Sequence, residues 1–240
     1  MTDELAPPTP PTAPSMEPAY SIRAALRFGW TQTWANFGQI LLGGLLIVGT
    51  EVAATVAQQI CATRIQDSVN RGDGTPTGLA LLEFVIVIAN VLFELMYGIG
   101  IVRAALGAID GEPVRASTLL RWRFMLPVFL AGLITTLGTI LGLILLIIPG
   151  LVFMLMAYYA QYFIIDRAEG PWTAVKSSIR MVKANFGKAF LFFLASIGVL
   201  LLGVLSLVVG VFVAYPVIAF ATAYTFRALA PRPEPTPQVS

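Results

Sequence analysis

The chain has 240 residues, of which 57% are hydrophobic and only 12% charged, with a mean hydropathy of +0.81. A soluble domain carries about twice that charged fraction, so this composition belongs to a protein dissolved in lipid. Without histidine, and with Cys61 as its single cysteine, the chain excludes a disulfide framework, a zinc site and histidine-based acid–base catalysis.

In chain order, residues 1–18 hold six of the sixteen prolines, in APPTPPTAPSMEP, and read as a disordered polar tail. Nothing in this start has the basic-then-apolar pattern of a cleavable signal peptide. The last ten residues, PRPEPTPQVS, hold four more prolines, so 230–240 reads as a second tail and 19–229 as the membrane domain. After the first tail, Ser21 is placed to cap a helix whose apolar spacing runs Ile22, Leu26, Gly29-Trp30 and Thr33-Trp34. Arg23 and Arg27 lie off that stripe. The tetrapeptide ANFG (35–38) follows, and then the first long apolar run.

Six apolar segments are long enough, or nearly so, to cross a hydrocarbon core that needs about 20 residues. They lie near Ile40–Ile60, Gly78–Ala105, Met125–Ile148, Leu151–Ile165, Ala189–Gly210 and Phe212–Thr225. Pro149-Gly150 reads as a tight turn that makes the third and fourth an antiparallel pair. The fourth and sixth are short, and Tyr158, Tyr159 and Tyr162 are placed to anchor the fourth at the membrane interface. Between the fourth and fifth comes a second basic helix: Pro171 suits its first position, Trp172, Val175, Ile179 and Val182 form an apolar stripe, and Lys176, Arg180 and Lys183 form a cationic face. It too ends in ANFG, at 184–187.

Six spans place thirteen of the fifteen lysines and arginines on the side of the termini, with only Arg64 and Arg71 opposite. The positive-inside rule then makes both termini cytoplasmic in a bacterial inner membrane. It also accounts for the basic residues without a nucleic-acid partner. The two tryptophan-bearing basic helices have the profile of helices lying in the interface, against the anionic inner leaflet. Asn36-Gly38 and Asn185-Gly187 read as hinges, because Asn and Gly tolerate left-handed backbone where a flat helix turns into a span. The expected fold is therefore all-α, six spans with two or three interfacial helices. It reads as a repeat of one interfacial helix and two spans, with a weaker middle copy in VRASTLLRWRFMLPVFLAGLI (114–134).

The run IIPGLVFMLMAYYAQYFIIDRAEGPWTAVKSSIRMVKANFGKAF resembles a family of polytopic bacterial membrane proteins related to the membrane domain joined to some glycerophosphodiester phosphodiesterases. The features that carry it are Pro149-Gly150, Asp166, Ala174 to Ser178 and Asn185. The resemblance implies the six-span layout, and no phosphodiesterase domain or catalytic residue comes with it.

Three carboxylates fall inside the spans. Glu83, Asn90, Glu94 and Tyr97 share one stripe of the second span, while Glu51, Thr55, Gln58 and Gln59 form a polar stripe on the first. Counting along the helices puts Glu51 and Glu94 at similar depth, with no lysine or arginine deep in a span to neutralise them. Such acids must be protonated, bonded to amides, bound to a cation or paired with another protein. Gly138 and Gly142 form a GxxxG motif that reads as packing within the subunit. The favoured reading is a non-enzymatic accessory, scaffold or lipid-organising membrane protein, with a protein partner or a second copy in the membrane and no cofactor. Its alternative is a small proton- or cation-coupled transporter using Glu51 and Glu94.

Overall fold

A computed structural model describes residues 20–114 and 124–230. Among these the chain forms nine helices: α1 (Ile22–Ala35), α2 (Phe37–Asn70), α3 (Thr77–Ile109), α4 (Met125–Leu145), α5 (Ile147–Ala157), α6 (Ala160–Arg167), α7 (Pro171–Ala184), α8 (Phe186–Leu205) and α9 (Leu207–Leu229). Taking α5 and α6 as one segment, six are long and apolar enough to cross a membrane: Phe37–Asn70, Thr77–Ile109, Met125–Leu145, Ile147–Arg167, Phe186–Leu205 and Gly210–Leu229. The proline-rich stretches 1–18 and 231–240, and Arg115 to Arg123 of the weaker middle repeat, lie outside the described residues.

The spans are arranged as three helical hairpins. Contacts at one end join the start of α1 to the C-terminal ends of α3, α6 and α9: Tyr20 Oη lies 3.2 Å from Thr225 Oγ1, and Arg227 reaches both Asp110 and Asp166. Burial pushes the Tyr20 phenol above its ordinary value, although its bond to Thr225 lowers it. At the opposite end, Gly142 meets Gly150 and Gly203 meets Gly210. Chain direction thus alternates from span to span.

The core lies towards the end where α3, α6 and α9 finish, built from Ile99 to Leu106 of α3, most of α6, one face of α7, and the second half of α9. The far tips of the hairpins expose aliphatic side chains, with Ile144 at 76% and Leu205 at 80%. Such tips would collapse together in water and are satisfied by lipid. Tyr159, Tyr162 and Phe163 are buried around Phe226, with ring centroids 5.0–6.5 Å from it. Tyr159 and Tyr162 are therefore core residues and not the interfacial anchors that their position at the end of a short span suggests.

Both ANFG copies build the same joint. Asn36 and Asn185 each end one helix and begin the next, at φ −115°, ψ 20° and φ −126°, ψ 32°. Each side-chain amide donates to the carbonyl four residues back, Asn36 Nδ2 to Gln32 O at 2.9 Å and Asn185 Nδ2 to Met181 O at 3.2 Å. The asparagine thus satisfies a carbonyl at the frayed end of the first helix. The left-handed hinge expected from the sequence is absent. Neither asparagine has positive φ, and Gly38 and Gly187 sit inside α2 and α8 with open space where a Cβ would go. Gly38→Ala and Gly187→Ala should therefore raise stability slightly, by about 0.5–1 kcal/mol each, because alanine is the better helix former. A fall in thermal stability in detergent for either variant would restore the hinge.

Pro149-Gly150 is not the turn between α4 and α5. The break falls at Leu146, which is extended at φ −166°, ψ 145°. Pro149 follows in the first turn of α5, where a missing N–H breaks no helical bond. Gly150 serves close packing: a Cβ on it would stand 2.6 Å from Leu143 Cγ, and one on Gly142 would stand 2.7 Å from Gly150 Cα. Gly138 likewise receives the ring of Phe153, so the GxxxG motif packs helices within the subunit. Helices α2 and α3 outrun the spans read from hydropathy, since no glycine or proline interrupts Gln58 to Asn70. Hydropathy marks an apolar slab and not the end of a helix. Cys61 is consequently buried within α2 and not close to its end.

Candidate functional site

Helices α2, α3 and α9 enclose a half-open cleft of about 690 Å³. Its walls come from one face of α2 (Gln39, Gly43, Gly44, Ile47, Glu51), one face of α3 (Glu94, Tyr97, Gly98) and the segment of α9 around Phe212, Tyr215 and Pro216. Gly44 lets the Phe212 ring seat directly on the α2 backbone. Pro216 lies inside α9, where it withdraws one backbone N–H from the helix beside the cleft.

The cleft brings together two of the sequence-selected carboxylates. Asn90 Nδ2 donates to Glu51 Oε1 at 3.1 Å across the α2–α3 pair, and Glu94 sits one turn further along the same face of α3. Glu94 makes no hydrogen bond or ion pair among the described residues. Gln58 and Gln59, the amides of the α2 polar stripe, do not bond to these acids. Asn90 alone does so, because it lies opposite Glu51 in the hairpin. Glu83 shares the α3 stripe but lies outside the cleft, again with no hydrogen bond or ion pair among the described residues.

The basic helices are more deeply embedded than interfacial helices resting on a surface. α1 buries Ala25, Gly29 and Thr33 against α9, with Gly29 packed on the Val217 carbonyl. α7 buries Ala174, Val175, Ser178, Met181 and Val182. Part of each apolar stripe thus meets protein, Gly29 and Thr33 on α1 and Val175 and Val182 on α7. The tryptophans stand outside those buried faces, with Trp30 54%, Trp34 49% and Trp172 59% exposed. Trp34 stacks on Phe37, and the Lys176 ammonium lies 5.1 Å from the Trp172 ring centroid. Arg23, Arg27, Lys176, Arg180 and Lys183 are all exposed.

Two constellations were not legible in the sequence. Arg227 Nη2 contacts Asp110 Oδ2 and Asp166 Oδ1, both at 2.9 Å, with the Asp166 side chain only 1% exposed. Arg167 donates to Ala230 O at 2.6 Å and lies over Phe163 and Phe226. Together these charges tie the ends of α3, α6 and α9. The available signal was that Asp110, Asp166 and Arg227 each end an apolar helix. The second constellation is Ser178, whose Oγ donates to Met156 O at 2.6 Å and accepts from the Tyr159 N–H at 3.1 Å. It satisfies both sides of the break between α5 and α6, which explains a buried hydroxyl on the apolar face of α7.

No family model matches the chain, and no solved structure does. The chain is 30% identical to the uncharacterised protein Rv2560 of Mycobacterium tuberculosis, over 92% of its own length and 73% of that protein's. The uncharacterised protein Mb2590 of Mycobacterium bovis matches with the same identity and coverage. The chain belongs to the family that includes these mycobacterial proteins, and its six helices long and apolar enough to cross a membrane make it a multi-pass membrane protein.

Proposed function

We propose that the protein is a non-enzymatic component of the bacterial cytoplasmic membrane, with both termini in the cytoplasm, that organises anionic lipid or scaffolds a membrane assembly. The observation that carries this reading is the pair of exposed cationic edges, Arg23 and Arg27 on α1 and Lys176, Arg180 and Lys183 on α7, each beside exposed tryptophan. Indole at the boundary and cations facing headgroups are how an embedded protein engages an anionic leaflet. The matching asparagine joints support an internal repeat, with α1–α2–α3 and α7–α8–α9 as its outer copies.

Reversing Lys176, Arg180 and Lys183 to glutamate is expected to weaken association with anionic vesicles. Each cation near such a surface contributes about 1 kcal/mol. Equal partitioning of the variant and the parent chain into vesicles of anionic lipid would remove α7 from this role.

A second reading is favoured by the cleft, which reaches both Glu51 and Glu94: a proton- or cation-coupled transporter. Glu51→Gln and Glu94→Gln keep size and hydrogen-bonding capacity while removing the ionisable group. If the acids only brace the bundle, stability should move by about 1 kcal/mol or less, since side-chain hydrogen bonds in membranes average near 0.6 kcal/mol. Both variants should then complement a deletion fully, which is the expected result. Loss of cellular function at normal protein levels would favour transport instead.

A further inference from the structure

A second groove of about 800 Å³ runs between α1, α8 and α9. Arg23, Arg27 and Trp30 of α1 line it on one side, and a mostly apolar trough of α8 and α9 that includes Val199, Leu202 and Val213 forms the other. The α8–α9 hairpin beside it closes on glycine. A Cβ on Gly203 would stand 2.8 Å from Ala214 Cβ and 2.9 Å from the Gly210 carbonyl oxygen, so the two backbones nearly touch. Arg23 and Arg27 are four residues apart on one edge of α1, exposed, and without a hydrogen bond or ion pair among the described residues.

We infer that this groove is a specific site for one anionic glycerophospholipid, a conclusion that rests on the lipid-organising reading above and assigns it a place. Charge complementarity selects the headgroup: two guanidiniums side by side match the paired oxygens of a phosphodiester. Shape selects the rest of the ligand, because an aliphatic trough continuing from the arginines has no use for free phosphate and takes an acyl chain. Trp30, three residues after Arg27, also lines the groove, and an indole suits the boundary of headgroup and hydrocarbon. Lys176, Arg180 and Lys183 line neither this groove nor the α2–α3–α9 cleft and act on the leaflet as a whole.

The test is native mass spectrometry of the full chain released from nanodiscs containing phosphatidylglycerol or phosphatidylcholine, counting retained lipids. The parent chain should retain phosphatidylglycerol in preference to phosphatidylcholine. The double variant Arg23→Gln/Arg27→Gln should lower that retention about tenfold or more, from the loss of two surface cations. Val199→Trp, which fills the trough without touching charge, should lower it as well. Retention unchanged in both variants but reduced by the α7 charge reversal would overturn the groove and leave the general lipid role standing. No change in any of the three would overturn both, and a shift from dimer to monomer in the groove variants would make the occupant a second copy and overturn the lipid assignment.

Discussion

Arg227→Ala is expected to be strongly destabilising, by about 3 kcal/mol, because it withdraws a guanidinium from a carboxylate that is nearly out of contact with solvent. Asp166 is 1% exposed and Arg227 15%, so water cannot replace the lost partner. For a chain of this size that corresponds to a fall in Tm of roughly 6–12 °C. Arg227 also holds Asp110 at the end of α3, so the ends of three spans lose a common tie. Arg227→Lys should recover only part of the loss, since an ammonium keeps the charge but sits on a shorter side chain than the guanidinium whose Nη2 reaches both acids. Thermal unfolding in detergent, followed by loss of the monodisperse peak, measures both. An alanine variant as stable as the parent would show that the cluster is peripheral to the fold.

Gly29→Leu should detach α1 from α9. Even a Cβ at this position collides with the Val217 carbonyl and comes within 3.2 Å of Ala221, so a leucine can be placed only if the helices separate. Overpacking of this kind costs about 1–3 kcal/mol where side chains can adjust, and backbone contact leaves little room to do so. The expected signs are a lower Tm and rapid tryptic cleavage at Arg23 and Arg27, which packed helix normally protects. A protease-resistant variant with unchanged Tm would mean that α1 is not held by this contact. The same substitution should deform the groove beside α1, coupling the stability of the helix to lipid retention.

Much of the architecture was legible in the chain because hydrocarbon imposes a simple rule. Every backbone group in a membrane must be paired within its own helix, so long apolar runs announce helices one by one, and the six segments were visible in their composition. The cap at Ser21, the proline at the start of α7 and the recurrence of the asparagine joint are local, and local chemistry reads from local sequence. What the sequence could not decide was which apolar surface meets protein and which meets lipid, since both are equally greasy. Tyr159 and Tyr162 have the composition of interfacial anchors and became core because Phe226 arrives from a helix more than sixty residues later. Pro149-Gly150 has the composition of a turn and became a packing surface because Leu143 and Gly142 fold back onto it. Asn90 was chosen over Gln58 and Gln59 as the partner of Glu51 by the register of the α2–α3 hairpin, which no single-helix periodicity contains. The Arg227 cluster needed three helix ends to converge before Arg227 could meet both acids. Long-range pairing is a property of the packed bundle, and only the tertiary structure could supply it.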